Sequence, residues 1–170
     1  MTAALKTIGV GVVVERSKSA SQWADFYWRS VAVLAGQPDT PHWTMLNDDG
    51  QRATFYAGTA NVALYSSETG FYRDNLNSGA PSLWVALRAA DGEPPFTVAA
   101  VTADPAEGES FTEAGTDLVE QVPMPLSIQQ ILAEFITEHH VERAFFKRKR
   151  DRADPEALAR RDRTSGDEFE

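Results

Sequence analysis

Through the first half of the chain, apolar and polar positions alternate with a period of two in several separate stretches. Ile8, Val10, Val12 and Val14 alternate with Gly9, Gly11 and Val13. This β-branched pattern predicts a strand whose small-residue second face lets another element pack closely. The polar stretch 15–22 predicts a loop, and 29–35 predicts a second strand closed by Gly36, Gln37 and Pro38. Residues 43–46 and 53–57 flank Asn47, Asp48, Asp49 and Gly50. Asp-Gly between apolar runs signals a hairpin, and 61–66 extends it into a meander. Stretch 67–79 is dense in turn residues and predicts a loop holding at most one helical turn. Residues 82–88 and 96–102 predict two more strands, and 117–122 a last short one. Between these, Pro105 behind Thr102 or Asp104 predicts a short helix. Its first turns carry Glu107 and Glu109, where the helix dipole favours acids.

At residue 122 the period changes from two to 3.6. Pro123 and Pro125 hold the approach extended, because each ring disfavours the helical region for the residue before it. Ser127 is placed as N-cap with Gln130 at capping-box spacing, and Leu126 and Ile131 take the staple positions. Ile128, Ile131, Leu132, Phe135 and Ile136 share one face, opposite Gln129, Glu134 and Glu138. A long helix is expected, running out into Phe145, Phe146, Lys147, Arg148, Lys149 and Arg150. Together the elements predict an α+β fold: a mainly antiparallel sheet or partly open barrel, packed by a long C-terminal helix and one short helix. We expect one globular domain over 1–150 and a disordered charged tail over 151–170.

Charge adds an asymmetry. Residues 1–142 hold seven Lys/Arg against eighteen Asp/Glu, and residues 143–170 hold nine against seven. An acidic body with a short basic segment lacks the broad basic face of a nucleic-acid binder. It suits docking on an acidic protein surface or on the chain's own body. No cysteine is present, so disulfides, thiolate metal sites and cysteine nucleophiles are excluded. The N-terminal residues lack a signal-peptide pattern and no apolar run is long enough to span a bilayer, so a cytoplasmic location is expected.

Candidate chemistry is sparse. Gly9 and Gly11 form only G-x-G inside a strand, without the helix that a phosphate-binding turn requires. His139 and His140 point about 100° apart on a helix, and the remaining histidine is His42. A zinc site needs three or four converging ligands, so His139 is read as a packing or capping residue and no metal or cofactor is expected. No G-x-S-x-G elbow occurs. Two segments rich in aromatic and charged residues remain, 23–29 and 68–76. Tryptophan, tyrosine and arginine dominate interface hot spots, so both segments are candidate contacts, together with the basic run. The candidate partner-binding residues are therefore Trp23, Trp28, Arg29, Glu68, Phe71, Tyr72, Arg73, Asn75, Phe146, Lys147, Arg148, Lys149 and Arg150.

Several segments in order resemble a bacterial family, the domain-of-unknown-function family 3305. They are GVVVER (11–16), WADFYWR with VAVLAG (23–36), FYAG (55–58), SETGFYRDNL (67–76), VTADPAE (101–107), VPMP (122–125) and EHH with FFKRKR (138–150). One departure is Glu142-Arg143-Ala144, where the family has a more apolar lead into a Pro-Phe pair. The resemblance implies an association with molybdenum- or tungsten-dependent formate dehydrogenases and their maturation factors. Some such proteins carry the label of the nucleotidyltransferase that attaches GMP to molybdopterin. The glycine-rich opening of that enzyme has no counterpart here, where the first strand runs into Glu15, Arg16, Ser17 and Lys18.

The leading expectation is a non-enzymatic accessory protein that binds a formate dehydrogenase-type molybdoenzyme subunit or its maturation factor. The alternative is a molybdenum-cofactor-handling transferase using Glu68, Arg73, Asp74 and Asp104. A regulatory nucleic-acid binder acting through 147–150 is the third. No membrane partner is expected.

Overall fold

The period-two stretches become seven strands. β1 (Lys6–Lys18), β2 (Phe26–Ala35), β3 (Thr44–Asp48) and β4 (Arg52–Leu64) form one sheet in the order β2-β1-β4-β3. β5 (Ser82–Ala89), β6 (Phe96–Thr102) and β7 (Asp117–Pro123) form a second, in the order β6-β5-β7. Every pairing is antiparallel. The helices are α1 (Thr69–Leu76), entered from a 3-10 turn at Ser66–Glu68, α2 (Pro105–Glu113) and α3 (Leu126–His139). This computed structural model describes residues 3–20, 25–113 and 115–140. Trp23, the run 145–150 and the tail 151–170 lie outside the described residues. Among the described residues, no helix is long and apolar enough to cross a membrane.

The α+β class is as expected, with two sheets in place of one and no closed barrel. Stretch 67–79 differs from expectation: it holds the 3-10 turn and α1, where a loop was predicted. Two predicted strands, 53–57 and 61–66, are one continuous β4, kinked at Gly58 where φ is 145°. The register between β1 and β4 shifts at that point, as a bulge does. β1 extends to Lys18, through part of the predicted loop, and β2 begins at Phe26.

The core follows from strand alternation. Val10, Val12 and Val14 of β1 meet Val62 and Leu64 of β4, and Leu83, Val85 and Leu87 of β5. Ile128, Leu132 and Phe135 of α3 and Tyr72 of α1 complete the cluster. The second face of β1 is covered as its glycines foretell. A Cβ at Gly11 would lie 2.7 Å from the Tyr56 ring, and one at Gly9 would lie 3.0 Å from the Gln37 side chain. Gln37 fixes this cover by donating through Nε2 to Ala60 O at 3.0 Å and Asn61 Oδ1 at 3.1 Å.

Helix ends are set by two devices, one foreseen. Asp104 Oδ1 accepts from Ala106 N at 2.9 Å, with Pro105 at the first helical position of α2. α3 starts two residues earlier than the capping pattern suggests. Its N-cap is Pro125, with no side-chain cap, and Ser127 lies inside the helix. Leu126 is 68% exposed, so the expected staple with Ile131 is absent. Gln129 Nε2 instead donates to Met124 O at 2.9 Å and ties the helix to the approaching chain. The buried face is Ile128, Leu132 and Phe135, with Ile131 and Ile136 packed at its margins.

Candidate functional site

β1 and β4 are each thirteen residues long, whereas β5, β6 and β7 have eight, seven and seven. Toward the β1–β2 and β3–β4 turns, the face of β1 that carries Val10, Val12 and Val14 continues as Arg16 and Lys18. Their register partners are Trp28 and Ala53 for Arg16, and Phe26 for Lys18. The aliphatic core therefore gives way to aromatic and cationic residues at this end of the first sheet.

The aromatic residues form one cluster. Trp28 stacks near Trp43, Phe55 and Phe96 at centroid distances of 6.0, 5.8 and 6.0 Å, and Trp43 lies 6.2 Å from Phe55. Such edge and tilted contacts are worth about 0.5–1.5 kcal/mol each beyond area burial. Trp43 adopts φ 65°, the left-handed region that a bulky side chain rarely occupies. Its amide donates to Tyr56 O, and this bond with the ring packing holds it there. The Arg16 guanidinium lies 4.5 Å from the Phe26 ring centre, 5.2 Å from Phe55 and 5.7 Å from Trp28. These are cation–π distances. Phe26 and Tyr27 remain 39% and 59% exposed on β2.

A pocket of about 220 Å³ opens on this cluster, walled by Arg16, Lys18 and Arg52 with Phe26 and Asp48. The β3–β4 turn shapes its rim. Asp48 Oδ1 accepts from Gly50 N at 2.9 Å, and Asp49 Oδ1 accepts from Gln51 N at 2.9 Å and Arg52 N at 2.7 Å. These backbone bonds hold the Asp49 carboxyl below its ordinary pKa. Among the described residues, no carboxylate lies within ion-pair distance of Arg16, Lys18 or Arg52, whereas Arg29 pairs with Glu15 and Arg88 with Asp117.

The expected contact residues separate. Trp28 is half-buried in the cluster, and Arg29 is exposed with its charge engaged by Glu15 at 3.5 Å. Phe71 is 45% exposed on α1, and Arg73 is exposed too, while Glu68 is the N-cap of that helix. Tyr72 and Asn75 are corrected: both are buried and face inward. The Tyr72 hydroxyl accepts from Tyr65 N at 3.0 Å, and burial pushes its pKa up to about 12. Asn75 donates through Nδ2 to Ser82 O at 2.8 Å and Ala103 O at 2.9 Å, and its Oδ1 accepts from Ser82 N at 3.0 Å. It joins α1, β5 and the end of β6, which is a structural role. Trp23, Phe146, Lys147, Arg148, Lys149 and Arg150 lie outside the described residues. Arg16, Lys18, Arg52, Phe26 and Tyr27 were not singled out from the sequence. The alternation of β1 carried forward by two residue pairs would have reached Arg16 and Lys18.

His139 stacks on Phe135 at 4.5 Å, the packing role expected of it, and His140 Nδ1 shares a hydrogen bond with Thr69 Oγ1 at 2.9 Å. A second, more polar pocket of about 210 Å³ lies between β4 and β6, lined by Asn61, Tyr65, Thr102 and Glu107. Partial burial raises the pKa of the Glu107 carboxyl, although much of the residue is exposed. Asp104 and Glu68 add to the rise, and the Thr102 hydroxyl partly offsets it. Among the described residues, no group of three or more His, Cys, Asp or Glu is placed to hold a metal ion.

No curated protein and no solved structure matches the chain. The model of the family described as "Protein of unknown function (DUF3305)" matches residues 9–150, a span that takes in both sheets and all three helices apart from the first residues of β1, and the chain belongs to that family.

Proposed function

We propose that this chain is a non-enzymatic accessory protein acting in the cytoplasm, which binds a molybdenum-dependent formate dehydrogenase-type enzyme or its maturation factor. The observation that supports a binding role is the end of the first sheet, where exposed Phe26 stands on one face with the cations Arg16 and Lys18. Aromatic and arginine side chains are the residues from which interface hot spots are built. The resemblance to formate dehydrogenase-associated proteins supports the choice of partner. The test is to tag the protein in its native host and identify the eluate by mass spectrometry. A molybdoenzyme subunit or maturation factor is expected, and an eluate holding neither overturns the reading.

A second reading, a molybdenum-cofactor-handling transferase, is favoured by one observation. Glu107 has a raised pKa in a polar pocket near Asp104 and Glu68, and perturbed carboxyls cluster at catalytic sites. Calorimetry with GTP, GMP and molybdopterin tests it. Heat of binding that is lost in Glu107→Gln supports the transferase, and no heat above the blank removes it.

A further inference from the structure

We propose that the pocket where Arg16 and Lys18 share a face with Phe26 receives carboxylate side chains from an acidic segment of a protein partner, with Phe26 packing alongside. The inference rests on the accessory reading and names the chemistry by which that partner is held. Residues 1–142 carry only seven Lys/Arg, and two of the seven, Arg16 and Lys18, face this one pocket, against a body with eighteen acids. Cations scattered at random over such a surface would be neutralised by its many carboxylates. Here the nearby Asp48 and Asp49 are turned to backbone amides of their own hairpin.

Geometry adds to charge. Arg16 is held over Phe26, Phe55 and Trp28 at 4.5, 5.2 and 5.7 Å, so its planar fork loses little further freedom when it grips an anion. A guanidinium that still has donors to spare pairs well with a carboxylate. Lys18, on the same face of β1 as Arg16, is exposed and can follow the anion as it docks.

Size and surroundings select the occupant. The pocket of about 220 Å³ is smaller than the roughly 300–1,000 Å³ of sites that enclose a whole small ligand. It fits a side chain delivered by a larger molecule. Met45 on β3, paired with Phe55, and Phe26 on β2 are exposed apolar residues on the same face of the sheet. They offer a protein partner the apolar contact that a free anion cannot use. A nucleic acid would meet two cations on an otherwise acidic body, too few to neutralise a run of phosphates.

The test uses the full chain, labelled with nitrogen-15, and a capped peptide of four glutamates at low ionic strength. The expected result is amide shifts concentrated at Lys18, Phe26 and Arg52, with a shift of the Arg16 Nε signal. In Lys18→Gln, whose altered side chain is exposed, binding weakens about fivefold. Shifts confined to other parts of the molecule, or none, overturn the proposal. Inorganic phosphate binding as tightly as the peptide overturns it in favour of a small-anion site. The titration reads the pocket without the cellular partner. A positive titration beside an empty eluate removes the assembly reading and keeps the pocket, while a negative titration beside a recovered molybdoenzyme subunit does the reverse.

Discussion

Gly108 sits where α2 crosses Trp84 of β5, and a Cβ there would lie 2.2 Å from the indole ring. Gly108→Ala therefore forces the helix or the ring to move. The expected loss is roughly 1–3 kcal/mol, read as a lower urea midpoint. Asn75→Ala leaves Ser82 N, Ser82 O and Ala103 O without their side-chain partner. Several unpaired buried groups cost about 3 kcal/mol in total, and partner binding by the folded fraction should be unchanged. Glu107 gives a pH signature. Its pKa in the folded chain is raised, so its contribution to stability is present below the ordinary carboxylate range and is lost as pH rises through the folded value. Glu107→Gln removes that loss, so its urea midpoint should exceed that of the parent at neutral pH and converge with it in acid. The parent gaining on the variant as pH rises would contradict this. At this scale the sequence spoke clearly where one residue acts on its neighbours. Pro105 and Asp104 announced the start of α2, and Gly11 announced a close approach. Gly108 was silent, because the ring it meets comes from a distant strand.

α3 separates a packed position from an exposed one on the same helix. Leu132 is fully buried and Leu126 is not. Leu132→Ala should cost roughly 2–5 kcal/mol, and Leu126→Ser should change stability by less than about 0.5 kcal/mol. A large loss at Leu126 would restore the staple that the capping pattern suggested. The apolar face of α3 was legible because Ile128, Leu132 and Phe135 repeat at helical spacing. α1 was not. Its inward residues are Thr69, Tyr72 and Asn75, at the same spacing but with polar groups that bond locally to Ser66 O, Tyr65 N and the Ser82 backbone. A helix buried through satisfied polar side chains shows no hydrophobic period, and its turn-forming residues imitate a loop.

For the whole molecule, the strands were readable one by one, but their division between two sheets was not. The Asp49-Gly50 turn announces the β3–β4 hairpin, but nothing local in the sequence says that β4 also pairs with β1 or that β5 pairs with β7. The binding surface depends on those pairings. Lys18 meets Phe26 and Arg16 meets Trp28 across one ladder, so both cations stand on the aromatic face, whereas Arg52 pairs with Ser17 on the other face. Arg16 and Lys18 are two residues apart in sequence, and it is the register that brings distant Phe26, Trp28 and Phe55 beside them. Charge counting found the acidic body and the basic segment beyond it, and missed the small cationic island within the body. The central claim is that a partner docks on this end of the first sheet. Replacing Phe26 with a photo-crosslinking amino acid in the native host, and Leu126 in a parallel strain, tests it most directly, since both side chains are exposed. The account predicts that the Phe26 position captures a molybdoenzyme subunit or maturation factor and that the Leu126 position does not. Capture of that partner from Leu126 with none from Phe26 would contradict it.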